Sequence, residues 1–311
     1  MPLDPQAEKI LKLIAKLNIP PLPTLEPAKA REITAQYRGK PRRSQPVPKV
    51  TNRTIRTPVG DIPIRIYTPK GNAPMPALVY FHGGGWVLGD LDAADSICWN
   101  ISLLAECVVV SVDYRLAPEH KFPAALDDAY AALKWVVVNA VELRIDPARV
   151  GVGGDSAGGN IAAAVALMAR DKGEPKLVYQ LLMYPVIQND FNTESYLKYA
   201  NGFGLTRDEM IWFWQHYLAD EADAQNHYAS PILAEELSNL PPALIITAEC
   251  DVLRDEALAY GAKLQEAGVS VQLWEGEGMI HSFVGMAQVL DKGKDAIAYI
   301  TTQLREAFAN C

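Results

Sequence analysis

The chain has 311 residues, 49% of them hydrophobic and 21% charged, a composition that excludes disorder and suits one large domain with an appendage or two ordinary domains. Its 37 acidic and 29 basic residues leave a formal net charge of −8, which argues against nucleic acid or an anionic membrane as partner. No stretch reaches the ~18–20 uninterrupted apolar residues of a membrane span, and Met1-Pro2-Leu3-Asp4-Pro5 lacks the features of a signal peptide, so a cytoplasmic location is expected.

In chain order, Ile10, Leu11, Leu13, Ile14 and Leu17 fall at helical spacing and predict a helix over residues 6–17, ended by Ile19-Pro20-Pro21-Leu22-Pro23. A second helix is expected over 27–37, before a basic, proline-punctuated stretch over 40–49. Residues 1–50 are too few for a core of their own and must pack on the main body. From Val50 the pattern changes to strands over 50–57, 62–67 and 77–81. Helices and strands then alternate: helix 94–105, strand 108–112, helix 124–138, strand 150–152, helix 158–171 and strand 179–184. An irregular section follows, rich in aromatics: Tyr196, Tyr199, Phe203, Trp212, Phe213, Trp214 and Tyr217. Strand 243–247, helix 254–267, strand 270–274 and a last helix over 285–309 complete the chain. Such alternation predicts an α/β fold whose mostly parallel sheet is covered by helices on both faces, after an antiparallel start.

The run Gly154-Asp155-Ser156-Ala157-Gly158 stands between the apolar strand at 150–152 and the small-residue helix that follows. A serine between two glycines at a sharp strand-to-helix turn reads as a nucleophile elbow, in which the strained backbone projects the hydroxyl clear of the sheet. Serine becomes a nucleophile only when a base takes its proton, and a carboxylate must orient that base. His281, after the strand at 270–274 in the glycine-containing loop 276–281, and Asp251, just past the strand at 243–247, supply these groups at strand ends, where such sites collect. Glu249 and Asp255 compete for the acid role. Glu249 falls within the apolar strand run 243–250 that Asp251 directly follows, however, and Asp255 sits in a first helical turn, where a carboxylate simply favours the helix dipole. Of the other histidines, His82 belongs to a glycine loop, His120 to a proline turn, and His216 and His227 to the aromatic section; each reads as structural.

Attack on an ester carbonyl creates an oxyanion that needs preorganised N–H donors. The Ala157 N–H, directly after Ser156, is one candidate, and His82-Gly83-Gly84-Gly85, after the strand at 77–81, offers the others. Cys98, Cys107, Cys250 and Cys311 show no metal-ligand spacing, so no metal site is expected, and the thiols should be reduced. Cys250 reads as strand packing.

Five stretches together carry a resemblance: His82-Gly83-Gly84-Gly85-Trp86, Asp113-Tyr114-Arg115-Leu116-Ala117-Pro118-Glu119, Phe122-Pro123-Ala124-Ala125, Gly154-Asp155-Ser156-Ala157-Gly158-Gly159-Asn160 and Asp251-Val252-Leu253-Arg254-Asp255-Glu256. With them the chain resembles the hormone-sensitive-lipase-type carboxylesterases over nearly all of residues 50–308. The resemblance implies an α/β-hydrolase fold with an eight-stranded sheet, in two parts (51–185 and 236–311), under a helical cap built from 1–50 and from an insertion at 186–235. It implies Ser156, Asp251 and His281 as catalytic triad, and Gly84, Gly85 and Ala157 as oxyanion donors with Gly83 shaping the loop. It further implies hydrolysis of short- to medium-chain acyl esters without cofactor. Val252 departs from the family, in which many members carry proline after the acid.

Glu119 is expected to hydrogen-bond backbone around the elbow, and Asp155 to brace it. Trp86, Tyr184, Ile280 and Phe283 are expected to line an apolar pocket for a small-molecule ester. An amidase or aryl-ester deacetylase on the same triad is the nearest alternative. A non-catalytic binding protein, as among the related gibberellin receptors, is disfavoured because they lack the catalytic histidine that His281 would be. Pairing of the edge strand at 270–274 with a second copy gives a homodimer as a further expectation.

Overall fold

The computed structural model describes residues 3–38, 48–72 and 74–311, so most of the basic stretch at 40–49 lies outside the described residues. Helix α1 (Pro5–Ala15) begins on a proline whose fixed φ suits the first helical position, and the Asp4 side chain caps it by accepting from the Gln6 N–H. Helix α2 (Pro27–Tyr37) likewise begins on proline. Strands β1 (Lys49–Thr57) and β2 (Gly60–Thr68) form an antiparallel hairpin in register from Lys49–Thr68 to Thr57–Gly60. Next come β3 (Met75–Phe81), α3 (Asp95–Ala105), β4 (Val108–Val112), α4 (Ala124–Val138), the short α5 (Ala140–Leu143), β5 (Ile145–Asp155), α6 (Ala157–Lys172) and β6 (Gln180–Met183). Two helices follow, α7 (Glu194–Lys198) and α8 (Arg207–Tyr217). Then β7 (Ala243–Cys250), α9 (Arg254–Glu266), β8 (Val271–Ile280) and α10 (Asp291–Ala309) complete the fold.

The strands form one eight-stranded sheet in the order β1-β2-β4-β3-β5-β6-β7-β8, antiparallel across β1, β2 and β4 and parallel from β4 to β8. Strand β4, Val-Val-Val-Ser-Val, is buried along its whole length, as expected of a strand with helices on both faces. Strand order reverses between β3 and β5, so the loops leaving those two strands diverge and open a crevice at their carboxyl ends, where open α/β sheets place ligands. Among the described residues no helix is long and apolar enough to cross a membrane.

Three expectations need correction. Strand β8 does not stop at Trp274 but continues through Gly276 and Gly278 to Ile280, so His281 directly follows a strand rather than ending a loop. The extension is held from both sides, because the Gly278 N–H donates to Glu249 at 2.7 Å and its carbonyl accepts from the Asp4 N–H at 3.0 Å. The last helix begins at Asp291 rather than 285, since Phe283–Met286 form a separate 3₁₀ turn. The aromatic section is also not irregular: α8 opens with a capping box in which Thr206 and Glu209 satisfy each other's backbone N–H groups.

Helix α8 lies on the carboxyl-end side of the sheet. Its Tyr217 ring stacks on Trp86 at 4.0 Å, and its Trp214 meets the same indole edge-on at 4.8 Å. The N-terminal portion joins it there: the 3₁₀ turn Leu22–Thr24 packs on α8, and a Cβ at Gly204 would stand 3.8 Å from Leu11.

Candidate active site

Ser156 links β5 to α6 with φ +57° and ψ −121°, a backbone conformation that persists only when its surroundings enforce it. They do so by hydrogen bonds: the Ser156 N–H donates to Met183 O at 2.9 Å, and its carbonyl accepts from Val186 at 3.2 Å and Asn160 at 3.1 Å. The flanking glycines are required by contact. A Cβ on Gly158 would overlap the Phe81 carbonyl at the end of β3, and one on Gly154 would overlap the Gly158 carbonyl.

Asp251 follows β7 and is almost fully buried; its Oδ1 accepts from the Leu253 N–H at 3.1 Å. Its Oδ2 lies 2.6 Å from Nδ1 of His281, and His281 Nε2 lies 3.0 Å from Ser156 Oγ. The ends of β5, β7 and β8 thus bring Ser156, Asp251 and His281 into one hydrogen-bonded chain. A carboxylate on Nδ1 fixes the tautomer that carries its proton there and leaves a lone pair on Nε2, facing the hydroxyl. Tyr184 packs edge-on against the imidazole, with centroids 4.9 Å apart. The competing carboxylates are engaged elsewhere: Glu249 holds Gly278, and Asp255 accepts from the Ser195 N–H at 2.7 Å.

Asp155 ties this elbow to the glycine loop after β3. Its Oδ1 accepts from the Tyr80 hydroxyl at 2.6 Å and from the Gly83 N–H at 3.0 Å, and burial raises its pKa against those two bonds. The Gly83 N–H is therefore committed. Among the described residues nothing accepts from the N–H groups of Gly84, Gly85 or Ala157. The two glycines have φ +122° and +60°, and the Phe213 ring of α8 covers Gly85 so closely that a Cβ there would overlap it.

The other histidines stand apart from this chain. His82 is buried and stacked on Tyr114, its Nδ1–H donates to Gly83 O at 2.8 Å, and burial lowers its pKa to about 4. Its Nε2 lies 3.9 Å from Asp113, whose pKa is raised to about 6 by burial and by Asp90. The His216 Nδ1–H donates to the Trp212 carbonyl at 2.8 Å, and His227 faces Asp171 at 3.9 Å.

Glu119 is a correction. It is half-exposed and bonds no backbone of the elbow; the Arg31 guanidinium grips it at 2.8 and 2.6 Å and pulls its pKa down to about 2. Arg31 is the residue at this site that the sequence did not single out, and Phe213 was named there only as one aromatic of the 196–217 section. Trp86, Tyr184, Ile280 and Phe283 are all buried, with Trp86 engaged by α8 and Tyr184 by both Phe283 and His281. The four cysteines are free; only Cys311 is exposed.

A family model described as an alpha/beta hydrolase fold matches residues 78–285. The carboxylic ester hydrolase LipN of Mycobacterium tuberculosis is 46% identical over 246 residues, which is 77% of this chain and 65% of the relative, so the match spans slightly under two thirds of that protein. An arylesterase of Saccharolobus solfataricus is 38% identical over 92% of this chain and 93% of its own. Among solved structures, the hyperthermophilic esterase of Pyrobaculum calidifontis superposes with a TM-score of 0.91 at 42% identity, covering 98% of this chain and 99% of that one.

Proposed function

The chain belongs to the hormone-sensitive-lipase-like family of the α/β hydrolases and is a carboxylic ester hydrolase, and from that premise we propose that it cleaves short- to medium-chain acyl esters through a covalent acyl-enzyme on Ser156. The observation that carries this reading is the unbroken hydrogen-bond chain from Asp251 through His281 to Ser156. His281 Nε2 takes the hydroxyl proton as Oγ attacks the ester carbonyl, and Asp251 stabilises the imidazolium that results. Negative charge moves onto the carbonyl oxygen, where the N–H groups of Gly84, Gly85 and Ala157 receive it. Collapse breaks the bond to the alkoxy oxygen, which leaves as the alcohol with the proton from His281. Water, deprotonated by the same nitrogen, then attacks the acyl-enzyme, and the bond to Ser156 Oγ breaks as His281 returns that proton to it, releasing the carboxylic acid.

Diethyl p-nitrophenyl phosphate tests the assignment, because attack by the nucleophile releases p-nitrophenol and leaves a stable phosphoryl adduct. One p-nitrophenol per chain is expected, with the adduct on the peptide containing Ser156. An adduct on a different residue, or full esterase activity in a chain without one, overturns it.

Helices α1, α2, α7 and α8 form the cap in this reading, from residues 1–50 and 186–235, and roof the crevice over Ser156. A roofed pocket of fixed depth rewards each methylene of the acyl chain by up to ~0.8 kcal/mol until it is full. Specificity should therefore climb to a maximum at acyl chains of about four to eight carbons. Deleting residues 1–35 removes Leu11 from Gly204 and the 22–24 turn from α8, and should flatten that profile in a series of p-nitrophenyl esters. A folded deletion variant with the parental profile would show that these residues do not form the roof.

A further inference from the structure

Arg31 of helix α2 and Arg38, the extended residue that follows the helix, grip the glycine loop. The Arg31 guanidinium donates Nε–H to Val87 O and Nη2–H to Ala117 O, each at 2.7 Å, besides holding Glu119. Arg38, two turns on, pairs with Asp90 at the far end of the same loop.

The Val87 carbonyl shares its peptide group with the Leu88 N–H, and that N–H donates to Gly84 O at 2.8 Å. The Gly84 carbonyl in turn shares its peptide group with the Gly85 N–H. A trans peptide points its carbonyl and N–H in opposite directions. Holding Val87 O from outside thus aims the Leu88 N–H inward onto Gly84 O, which aims the Gly85 N–H onward. The Val87 N–H adds a second bond to Gly84 O at 3.1 Å, and the Ala117 N–H holds Trp86 O at 2.9 Å. The charged end of this relay is a guanidinium, and each hydrogen bond along a chain polarises the next.

We propose that Arg31 is a positioning residue for ester hydrolysis: through the Val87–Leu88 and Gly84–Gly85 peptide groups it orients and polarises the Gly85 N–H toward the developing oxyanion. The inference rests on the reading of Gly85 as an oxyanion donor. It makes the N-terminal segment a contributor to the rate of the chemical step as well as a roof. An interaction realised mainly in the transition state shows in kcat, whereas a roof contact shows in KM.

The test compares Arg31→Met, Arg31→Lys and Glu119→Gln with the parent on p-nitrophenyl acetate, an ester too short to depend on the roof. Arg31→Met should lose about 10- to 100-fold in kcat with KM changed by less than about threefold. Arg31→Lys, which keeps a cation and can still donate to Val87 O, should recover part of that loss. Glu119→Gln leaves both carbonyl contacts in place and should lower thermal stability with kcat unchanged. Should either Arg31 variant lower the melting temperature while kcat holds, or should Glu119→Gln lose kcat as Arg31→Met does, Arg31 is a structural latch and the proposal fails. If Arg31→Met does not fold, Arg31→Lys and Glu119→Gln decide alone: an unchanged kcat in Arg31→Lys at a lower melting temperature overturns it. Phosphorylation of the parent by diethyl p-nitrophenyl phosphate separates this failure from that of the underlying reading, since a parent labelled away from Ser156 removes the oxyanion site itself.

Discussion

Replacing Ser156 with alanine is expected to lower kcat/KM for p-nitrophenyl butyrate by about 10⁴-fold or more while leaving the fold intact. The substitution removes one oxygen from a buried side chain and keeps the Cβ, and the turn is held by the Met183, Val186 and Asn160 backbone bonds, none of which uses the hydroxyl. His281→Ala should cost about as much, and the double variant little more, because nucleophile and base act as one unit. A residual rate above that of water should remain in all three, from the N–H groups of Gly84, Gly85 and Ala157. Circular dichroism and kinetics on the same samples check the result. A folded Ser156→Ala chain that hydrolyses the ester at the parental rate would eliminate Ser156 as the nucleophile.

Gly158→Ala should be among the most destabilising single-methyl additions in the chain. The new Cβ would overlap the Phe81 carbonyl and stand 2.6 Å from that of His82, and neither can yield, since Phe81 ends a strand hydrogen-bonded to β4 and β5 on either side. Helix α6 would have to lift off the sheet, and with it Ser156. A loss of about 3 kcal/mol or more is expected, or roughly 6–12 °C in melting temperature. Gly268→Ala is the matched control: φ is +81° and nothing lies within 4 Å, so only backbone strain of about 1–2 kcal/mol applies. Similar melting temperatures for the two variants would mean that α6 is not seated on β3 as tightly as described.

Strand β4 and helices α2 and α4 were legible to the residue, because continuous apolar runs and prolines at helix starts are local signals, whereas β5, expected over 150–152, runs from Ile145 to Asp155. The same holds for Ser156, Asp251 and His281, whose places at strand ends follow from the alternation of elements. Legibility failed where the deciding partner is distant in sequence. Glu119 was read from its neighbours in a proline turn, but its ligand, Arg31, is 88 positions away. The glycines at 276 and 278 read as a loop; a strand accommodates them because the Phe283 ring fills the space beside Gly276, 2.9 Å from a would-be Cβ. Helix α8 is apolar on most sides, since Trp214 and Tyr217 face Trp86 while Phe213 faces Gly85, and this erased its helical period. Thr206 and Glu209 did carry a capping signal for it.

Helix α1 is held by groups that lie far later in the chain. Asp4 bonds Gly278, and Gln6 bonds Asp291 across 285 positions of sequence. At a ribosomal rate of about 5–20 residues per second, the first helix emerges roughly 15–60 s before its docking site exists. During that interval Ala7, Ile10 and Leu11, which the finished molecule packs against its core, have no surface to meet. The glycine-loop end of this segment, where Arg31 bonds Val87, Ala117 and Glu119, can seat once residue 119 has been added, whereas α1 stays without its partners until residue 291 has been.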